Sequence, residues 1–502
     1  MITVIYSTHK DSEYNKKFKK HLLETIGVKN PQILEVENRN EYSLSYVYNL
    51  GIEISENDII VCCHNDIKLE KNWGKKLLED FSENPEYGII GKAGSCYFPE
   101  SGVYWDRMTQ TMVGQVYHHP DGAKKWLNKY SPKLPFLVPV VTIDGLFISF
   151  DKTKIKHTFD ESIGRFHFYD HLFCVPNYLE GVKIGVTSSF EITHQSIGRP
   201  NQEFFESKEL FVKKYGNKLP LDLKPNQIYV SQIKEKQIKN IGKMAVIIPT
   251  KSKLDLLFDC IDSFHKQCNS SLYDIFIADT GSSNEEKELI KSRYENTNVN
   301  LIEFDYYNFA KINNEVVRDY IGDEYEFLLF CNNDIKLLNN VVYGMLKTFK
   351  EKPKTGTVGC RLHFEDNTVQ HDGIKLFFSQ ANNISLTHHG LRNYFNYTTG
   401  TKTIAGSTGA LLGVRKKSFI NAGLFNEKYT NCFEDVELNL SLITMGFENV
   451  FDGSLVAYHY ESQTRNENND NVTSMSNDFN NIMTPYIVDN MIHIKKYIEV
   501  IR

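Results

Sequence analysis

Along the chain, short runs of β-branched and aromatic residues alternate with stretches whose apolar residues recur at helical spacing. ITVIYS, from Ile2, and AVIIPT, from Ala245, are two such runs, and each precedes a helical-looking stretch. ILEVEN, from Ile33, and IFIADTGSS, from Ile275, come next and end in polar residues. IIVCCHNDIKL then ends at Leu69 and FLLFCNNDIKL at Leu337, each an apolar run that stops at an Asn-Asp pair. Strands alternating with helices of about ten to fifteen residues predict an α/β domain with a mostly parallel sheet. In such sheets ligands bind beyond the carboxyl ends of the strands, where these polar residues fall.

These runs come in pairs because the chain repeats itself. Asp66 and Asp334 are 268 positions apart. TFDESIGRFHFYDHLF, from Thr158, matches LFNEKYTNCFEDVELNL, from Leu424, with Asp170 and Asp435 separated by 265. ITHQS around His194 matches AYHYES around His459, again 265 apart. Three patches in one order at a nearly constant offset predict two copies of one domain. Residues 200–243 are rich in Lys, Gln and Asn with weak periodicity and read as a connector. After residue 465 comes the polar run NENNDN, then apolar residues at helical spacing through Ile501, which predict a helix packed on the second domain or on a partner.

Composition narrows the class. The 502 residues suit two to four domains, and 41% hydrophobic with 24% charged residues is ordinary globular usage. With 57 Lys plus Arg against 63 Asp plus Glu the net charge is -6, which argues against nonspecific nucleic-acid binding. The most apolar window, 137–150, is too short for a transmembrane span and is interrupted by Pro139 and Asp144. MITVIYSTHK reads as a strand, not a signal peptide. Nine cysteines without a CxxC pair suit reduced thiols in a cytoplasm. The expectation is a cytoplasmic protein, with peripheral attachment at the inner face of the membrane left open.

Asp334 and Asp66, just past buried strands, are placed to hold a hard cation. Such a cation could neutralise a diphosphate leaving group. Asn and Asp also favour turns and caps, but recurrence of the pair favours chemistry. Asp435, preceded by Glu434, and Asp170 sit in aromatic surroundings near a helix start, where a carboxylate is either a cap or a general base. His459 and His194 follow 24 residues later, as metal ligands or phosphate contacts.

IIPT, ADTGSS, YNFAKINN, FCNNDIKL, VGCRLHFEDNTVQHDGI, GSTGALLGVRKKSF, FNEKYTNCFEDVEL and YHYESQTR together resemble, in order, the motif series of bacterial family 2 glycosyltransferases, from about Met244 to Arg465. HNDIKLEKNW, WDRM, TIDGLFISF, FDESIGRFHFYD and HQSIG resemble a sister branch over roughly Met1 to Pro200. The resemblance implies two GT-A domains (Rossmann-like, mostly parallel sheet) in tandem with a helical C-terminal tail: residues 1–200, a linker at 201–243, residues 244–465, and the tail at 466–502. It implies an inverting enzyme dependent on Mn²⁺ or Mg²⁺, taking a UDP-, dTDP- or GDP-sugar and extending a glycan, lipid-linked or glycoprotein acceptor. By the same resemblance Asp435, with Glu434, is the catalytic base, and Asp334 with His459 forms the metal or diphosphate site. Thr250, Asp279, Lys311, Asn314, Asn332 and Asn333 shape the nucleotide-sugar pocket. The corresponding residues of the first half are Asp170, Asp66, His194, Glu37 and Asn38.

Both copies lack the first carboxylate of the family's D-x-D motif, replaced by Asn332 and His64. In the first half, EVEN replaces the usual Asp-containing motif and Asp170 has no Glu before it. Two functional readings follow: a bifunctional transferase, or a single activity with a noncatalytic carbohydrate-binding first half. A third reading, a nucleotidyltransferase using a related α/β crevice, stays open, although the chain lacks the Gly-rich basic loop that would cradle a triphosphate.

Overall fold

The computed structural model describes residues 1–8, 12–39, 41–106, 111–198, 200–224, 228–379, 384–387, 394–395, 397–429, 432–460 and 469–501. The chain forms two compact units, Met1–Gln227 with Asn393–Asn396, and Ile228–Arg392 with Tyr397–Arg502.

In the first unit, Ile2–Thr8 lies between Gln32–Glu37 and Ile59–Cys63, all parallel. Phe147–Asp151 enters antiparallel between Ile59–Cys63 and Tyr87–Gly91, and Lys183–Val186 runs parallel to the latter. The second unit repeats this order. Met244–Thr250 lies between Tyr273–Asp279 and Phe327–Cys331, again parallel. Leu411–Arg415 enters antiparallel between Phe327–Cys331 and Thr355–His363, and Glu448–His459 runs parallel to Thr355–His363. The fold is α/β as expected, and most strands of each main sheet run one way, with 147–151 and 411–415 inserted antiparallel near the middle. Alternation along a strand reports burial, not direction, so the reversed strands 147–151 and 411–415 are invisible in the pattern.

The central strands are near-continuous apolar runs because both faces are covered. Ile2, Val4, Tyr6, Val61 and Cys63 pack under Trp73 and Leu77, while Met244, Val246, Ile248, Leu329 and Cys331 pack under Val341 and Met345. Each fully buried aliphatic side chain contributes about 1.5–3 kcal/mol. Eight of the nine cysteines are free and buried.

Two expected segments differ from their reading. Within 201–243, Gln202–Tyr215 is a helix capped by the Asn201 side chain. Its Phe204 and Phe211 are buried with Phe98, Leu172 and Leu221, so this stretch belongs to the core of the first unit. Its apolar residues are sparse among Lys and Glu, which weakened the periodic signal. From Ile228 the chain lies along the second unit, where Asn339 Nδ2 donates to Ser231 O (2.9 Å). The tail is helical over Asn469–Asp478, Thr484–Asp489 and Met491–Ile494, but ends as a strand, Ile498–Ile501, parallel to Lys375–Ser379. Met483, Ile487 and Ile494 are buried against Val436 and Leu440 of the helix Glu434–Thr444. Among the described residues no helix is long and apolar enough to cross a membrane.

Candidate active sites

The same arrangement stands at the strand ends of both units. In the second, Phe327–Cys331 stops at Asn332, Asn333 and Asp334, and the short strand Ile335–Leu337 pairs antiparallel with the end of Glu448–His459. That pairing sets His459 opposite Ile335 and brings its Nε2 within 3.2 Å of Asp334 Oδ1. Asp334 is 5% exposed, and its Oδ1 lies in no hydrogen bond despite being buried. His459 Nδ1 lies 2.7 Å from Gln370 Oε1, and Asn332 Nδ2 is 3.3 Å from Nε2. Gln370 Oε1 can only accept, so in the neutral imidazole Nδ1 carries the proton and Nε2 turns a lone pair toward Asp334. A carboxylate oxygen and an imidazole lone pair facing each other without a proton between them repel unless a cation joins them. The donor set therefore fits a divalent metal, with Asp334 Oδ1 and His459 Nε2 as its ligands.

In the first unit, Ile192–His194 pairs antiparallel with Ile67–Leu69, setting His194 opposite Ile67. His194 Nε2 is 3.4 Å from Asp66 Oδ1 and 3.0 Å from Ser196 Oγ. His64 adds its Nδ1 at 3.8 Å from the same carboxylate oxygen. Burial pushes the Asp66 carboxyl upward, but the hydrogen bonds from His194 and Ser196 and the charges of His64 and His194 outweigh it and hold the group below the usual carboxylate range. Burial pushes His64 down, partly offset by Asp66.

In each unit the expected base is held by a segment that also accepts from the backbone of Asn332 or His64. Asp435 is 8% exposed, in the first turn of Glu434–Thr444 behind Phe433, whose φ of 84° turns the chain sharply into the helix. Its Oδ2 accepts the Gly409 N–H (2.6 Å) and its Oδ1 the Val436 N–H (2.7 Å). Asn332 N–H donates to the carbonyl of Ala410, the residue after Gly409 (2.9 Å). Asp435 thus hangs from the segment that borders the metal position. The first unit repeats each contact. Phe168 has φ 65°, Asp170 Oδ2 accepts Gly145 N–H (2.9 Å), and His64 N–H donates to Leu146 O (3.2 Å). Glu434 is half-buried at the helix start, and Tyr169 takes its place in the first unit, with its hydroxyl 2.8 Å from His64 Nε2.

The expected nucleotide residues divide. Thr250 and Asn333 meet, Asn333 Nδ2 donating to Thr250 Oγ1 (2.9 Å), both buried beside the metal position. Asp279 is fully buried, and its carboxylate accepts the Ser282 N–H (3.2 Å) and hydroxyl, so it shapes the loop after its strand instead of facing a base. Lys311 lies over the Tyr306 ring (4.3 Å) and near Glu315 (3.8 Å). Asn314 is consumed by the 425–427 segment: Nδ2 donates to Phe425 O and Glu427 Oε1 (both 2.9 Å), and Oδ1 accepts Phe425 N–H (2.9 Å). Glu37 is exposed and paired with Arg39 (2.8 Å). Asn38 is buried, its Oδ1 accepting the Glu41 and Tyr42 N–H groups (both 3.1 Å).

Sequence reasoning missed several participants. Asn49 repeats the Asn314 clamp, donating to Phe159 O (2.8 Å) and Glu161 Oε1 (2.7 Å), and the 265-residue offset would have found it. Gly409 and Gly145 donate from the backbone, a role no side-chain motif reports. Gln370 stands 89 residues before its partner His459, with no local signal linking them.

Residues 4–215 match the family described as "Glycosyltransferase like family", and residues 245–422 match "Glycosyl transferase family 2". The "O-antigen biosynthesis protein RfbC" of Myxococcus xanthus is 27% identical over 232 residues, covering 45% of this chain and 18% of that protein. The "Uncharacterized protein y4gI" of Sinorhizobium fredii (strain NBRC 101917 / NGR234) is 24% identical over 228 residues, 44% of this chain and 25% of that one. The matches thus span about a fifth to a quarter of the length of these curated relatives. Among solved structures, GalNAc-T7 with UDP, GalNAc and Mn²⁺ aligns with TM-score 0.37 and 13% identity over 43% of each chain. Mannosyltransferase PcManGT from Pyrobaculum calidifontis, in complex with GDP-Man and Mn²⁺, aligns with TM-score 0.33 and 12% identity over 44% of this chain and 58% of that one.

Proposed function

We propose, from the two glycosyltransferase family matches at residues 4–215 and 245–422, that the chain is a tandem of GT-A domains and a bifunctional inverting transferase that builds a bacterial surface glycan from nucleotide sugars in the cytoplasm. The observation that carries this is the doubling of one constellation. A carboxylate held by a glycine N–H (Asp435 on Gly409, Asp170 on Gly145) stands beside an aspartate–histidine pair (Asp334 with His459, Asp66 with His194).

The acceptor hydroxyl gives its proton to Asp435 while its oxygen bonds to the anomeric carbon from the face opposite the nucleotide. The bond from that carbon to the diphosphate oxygen breaks with both electrons leaving on the nucleoside diphosphate. The backbone N–H groups of Gly409 and Val436 fix the carboxylate's rotation, so the remaining lone pairs point one way. Mn²⁺ or Mg²⁺ bound at Asp334 and His459 would stabilise the charge on the departing diphosphate. Thr250 and Asn333 line the floor on the donor side, and Asp279 acts through the 280–282 loop.

Asp435→Asn is expected to bind donor yet lose about 10²–10⁴-fold in transfer, and chelation by EDTA to stop it. Full turnover by that variant ends the assignment. The alternative, a first unit that binds glycan without catalysis, is favoured by Tyr169 at the Glu434 position and by solvent-facing Glu37. Asp170→Asn separates the readings: a second, distinct product arrest supports two activities, and an unchanged product supports one.

A further inference from the structure

The two crevices differ in one donor. At the position where the second unit has Asn332, the first has His64, and the structure turns this imidazole inward. His64 Nε2 is held by the Tyr169 hydroxyl (2.8 Å), leaving Nδ1 facing Asp66 Oδ1 at 3.8 Å. His194 Nε2 approaches the same oxygen at 3.4 Å. One ligand atom from each of His64, Asp66 and His194 lies within 4.8 Å of the others, and this is the cluster of three such residues found among the described residues. The ring centroids of the two histidines are 5.7 Å apart with their planes tilted by 56°, close enough to share one ion. In the second unit the corresponding set is one imidazole, one carboxylate and the amide of Asn332.

We propose that the first unit is a transition-metal centre with a two-histidine, one-carboxylate ligand set, and that the two domains of one chain thereby select different metals. Imidazole nitrogen favours Co²⁺ and Zn²⁺ over Mg²⁺, whereas oxygen donors suit Mg²⁺ and Mn²⁺. Three protein ligands also hold an ion without help from a diphosphate, and leave positions open for substrate oxygens. The second unit, with two charged or imidazole donors, depends on the donor's phosphates to complete its coordination. The first unit therefore carries its ion at rest, and the second takes its ion with the nucleotide sugar. The Tyr169 hydroxyl is the outer support that orients His64, as Gln370 supports His459. This inference rests on the crevices being metal sites and not on which sugar either transfers.

The test titrates the full chain, without sugar nucleotide, with Co²⁺, Zn²⁺, Mn²⁺ and Mg²⁺ in turn. Equilibrium dialysis gives stoichiometry, and the visible bands of Co²⁺ report nitrogen ligation. One tight Co²⁺ or Zn²⁺ site is expected, with Mg²⁺ much weaker. His64→Asn, which copies the second unit's donor, is expected to weaken Co²⁺ and Zn²⁺ binding by about tenfold or more while leaving Mn²⁺ less affected. The reverse graft, Asn332→His, is expected to create a second tight site, so the claim does not depend on the first variant folding. Unchanged Co²⁺ affinity in His64→Asn, no gain in Asn332→His, or equal affinity for Mg²⁺ and Zn²⁺ would each overturn the proposal. Loss of sugar transfer with metal binding intact would count against the transferase reading alone.

Discussion

Replacing Gln370 by Leu tests how the second site is kept open for an ion. In the structure the Gln370 side-chain oxygen takes the His459 Nδ1 proton at 2.7 Å, and Nε2 faces Asp334 Oδ1 at 3.2 Å with its lone pair. Without Gln370, the proton is better placed on Nε2, where Asp334 accepts it. A hydrogen bond to a charged group is worth about 1.5–3 kcal/mol, and that closed His–Asp pair competes directly with the cation. At about 1.4 kcal/mol per factor of ten, apparent Mn²⁺ affinity should fall roughly 10–100-fold. The assay is transfer rate against Mn²⁺ concentration at saturating donor. The half-saturating Mn²⁺ should rise by that factor while the rate at saturating Mn²⁺ stays near wild type. Gln370→Glu, which still accepts the Nδ1 proton, should keep wild-type affinity. Equal Mn²⁺ dependence in Gln370→Leu and wild type would refute the tautomer argument.

Gly409→Ala places a Cβ 3.2 Å from Asp435 Cβ and 3.5 Å from its Oδ2. It should lower transfer about tenfold or more with less than about 1 kcal/mol lost in stability, since small misplacements of a reacting group are costly; parallel rate and unfolding measurements check this. Asn314→Ala and Asn49→Ala each leave backbone groups of the facing loop unpaired and should destabilise their own unit by about 2–4 kcal/mol, read from thermal unfolding. A loss below about 1 kcal/mol would show that water replaces the clamp. Lys92, fully buried with its ammonium donating to the carbonyls of Thr187 (2.8 Å) and Phe190, is pushed down to about 7 by burial. The unfolded chain keeps that proton to near 10.5, so it binds more protons above pH 7 and stability rises with pH. Between pH 7 and 9.5 wild type should gain about 3 kcal/mol relative to Lys92→Met in urea unfolding; a flat difference would exclude the buried lysine as a pH-dependent term.

The repeat, the α/β class and the order of acidic and histidine residues were legible in the sequence, because hydrophobic periodicity and a constant offset survive as linear patterns. Asp334 with His459, and Asp66 with His194, come together through antiparallel pairing of 335–337 with 457–459 and of 67–69 with 192–194, strands far apart in the chain. Only the tertiary structure decided what each polar group faces. Asp279 and Asn314 carry family-like residue types in the expected places, yet their hydrogen bonds are filled by nearby loops, which no motif can reveal. Gln370 reaches His459 across 89 residues, and Gly409 acts through its backbone, so neither leaves a side-chain signature beside its partner. His64 read as a lost carboxylate until the fold turned its ring toward Asp66. Sequence pattern encodes which side chains leave water; which of them then meet is set by contacts between strands far apart in the chain.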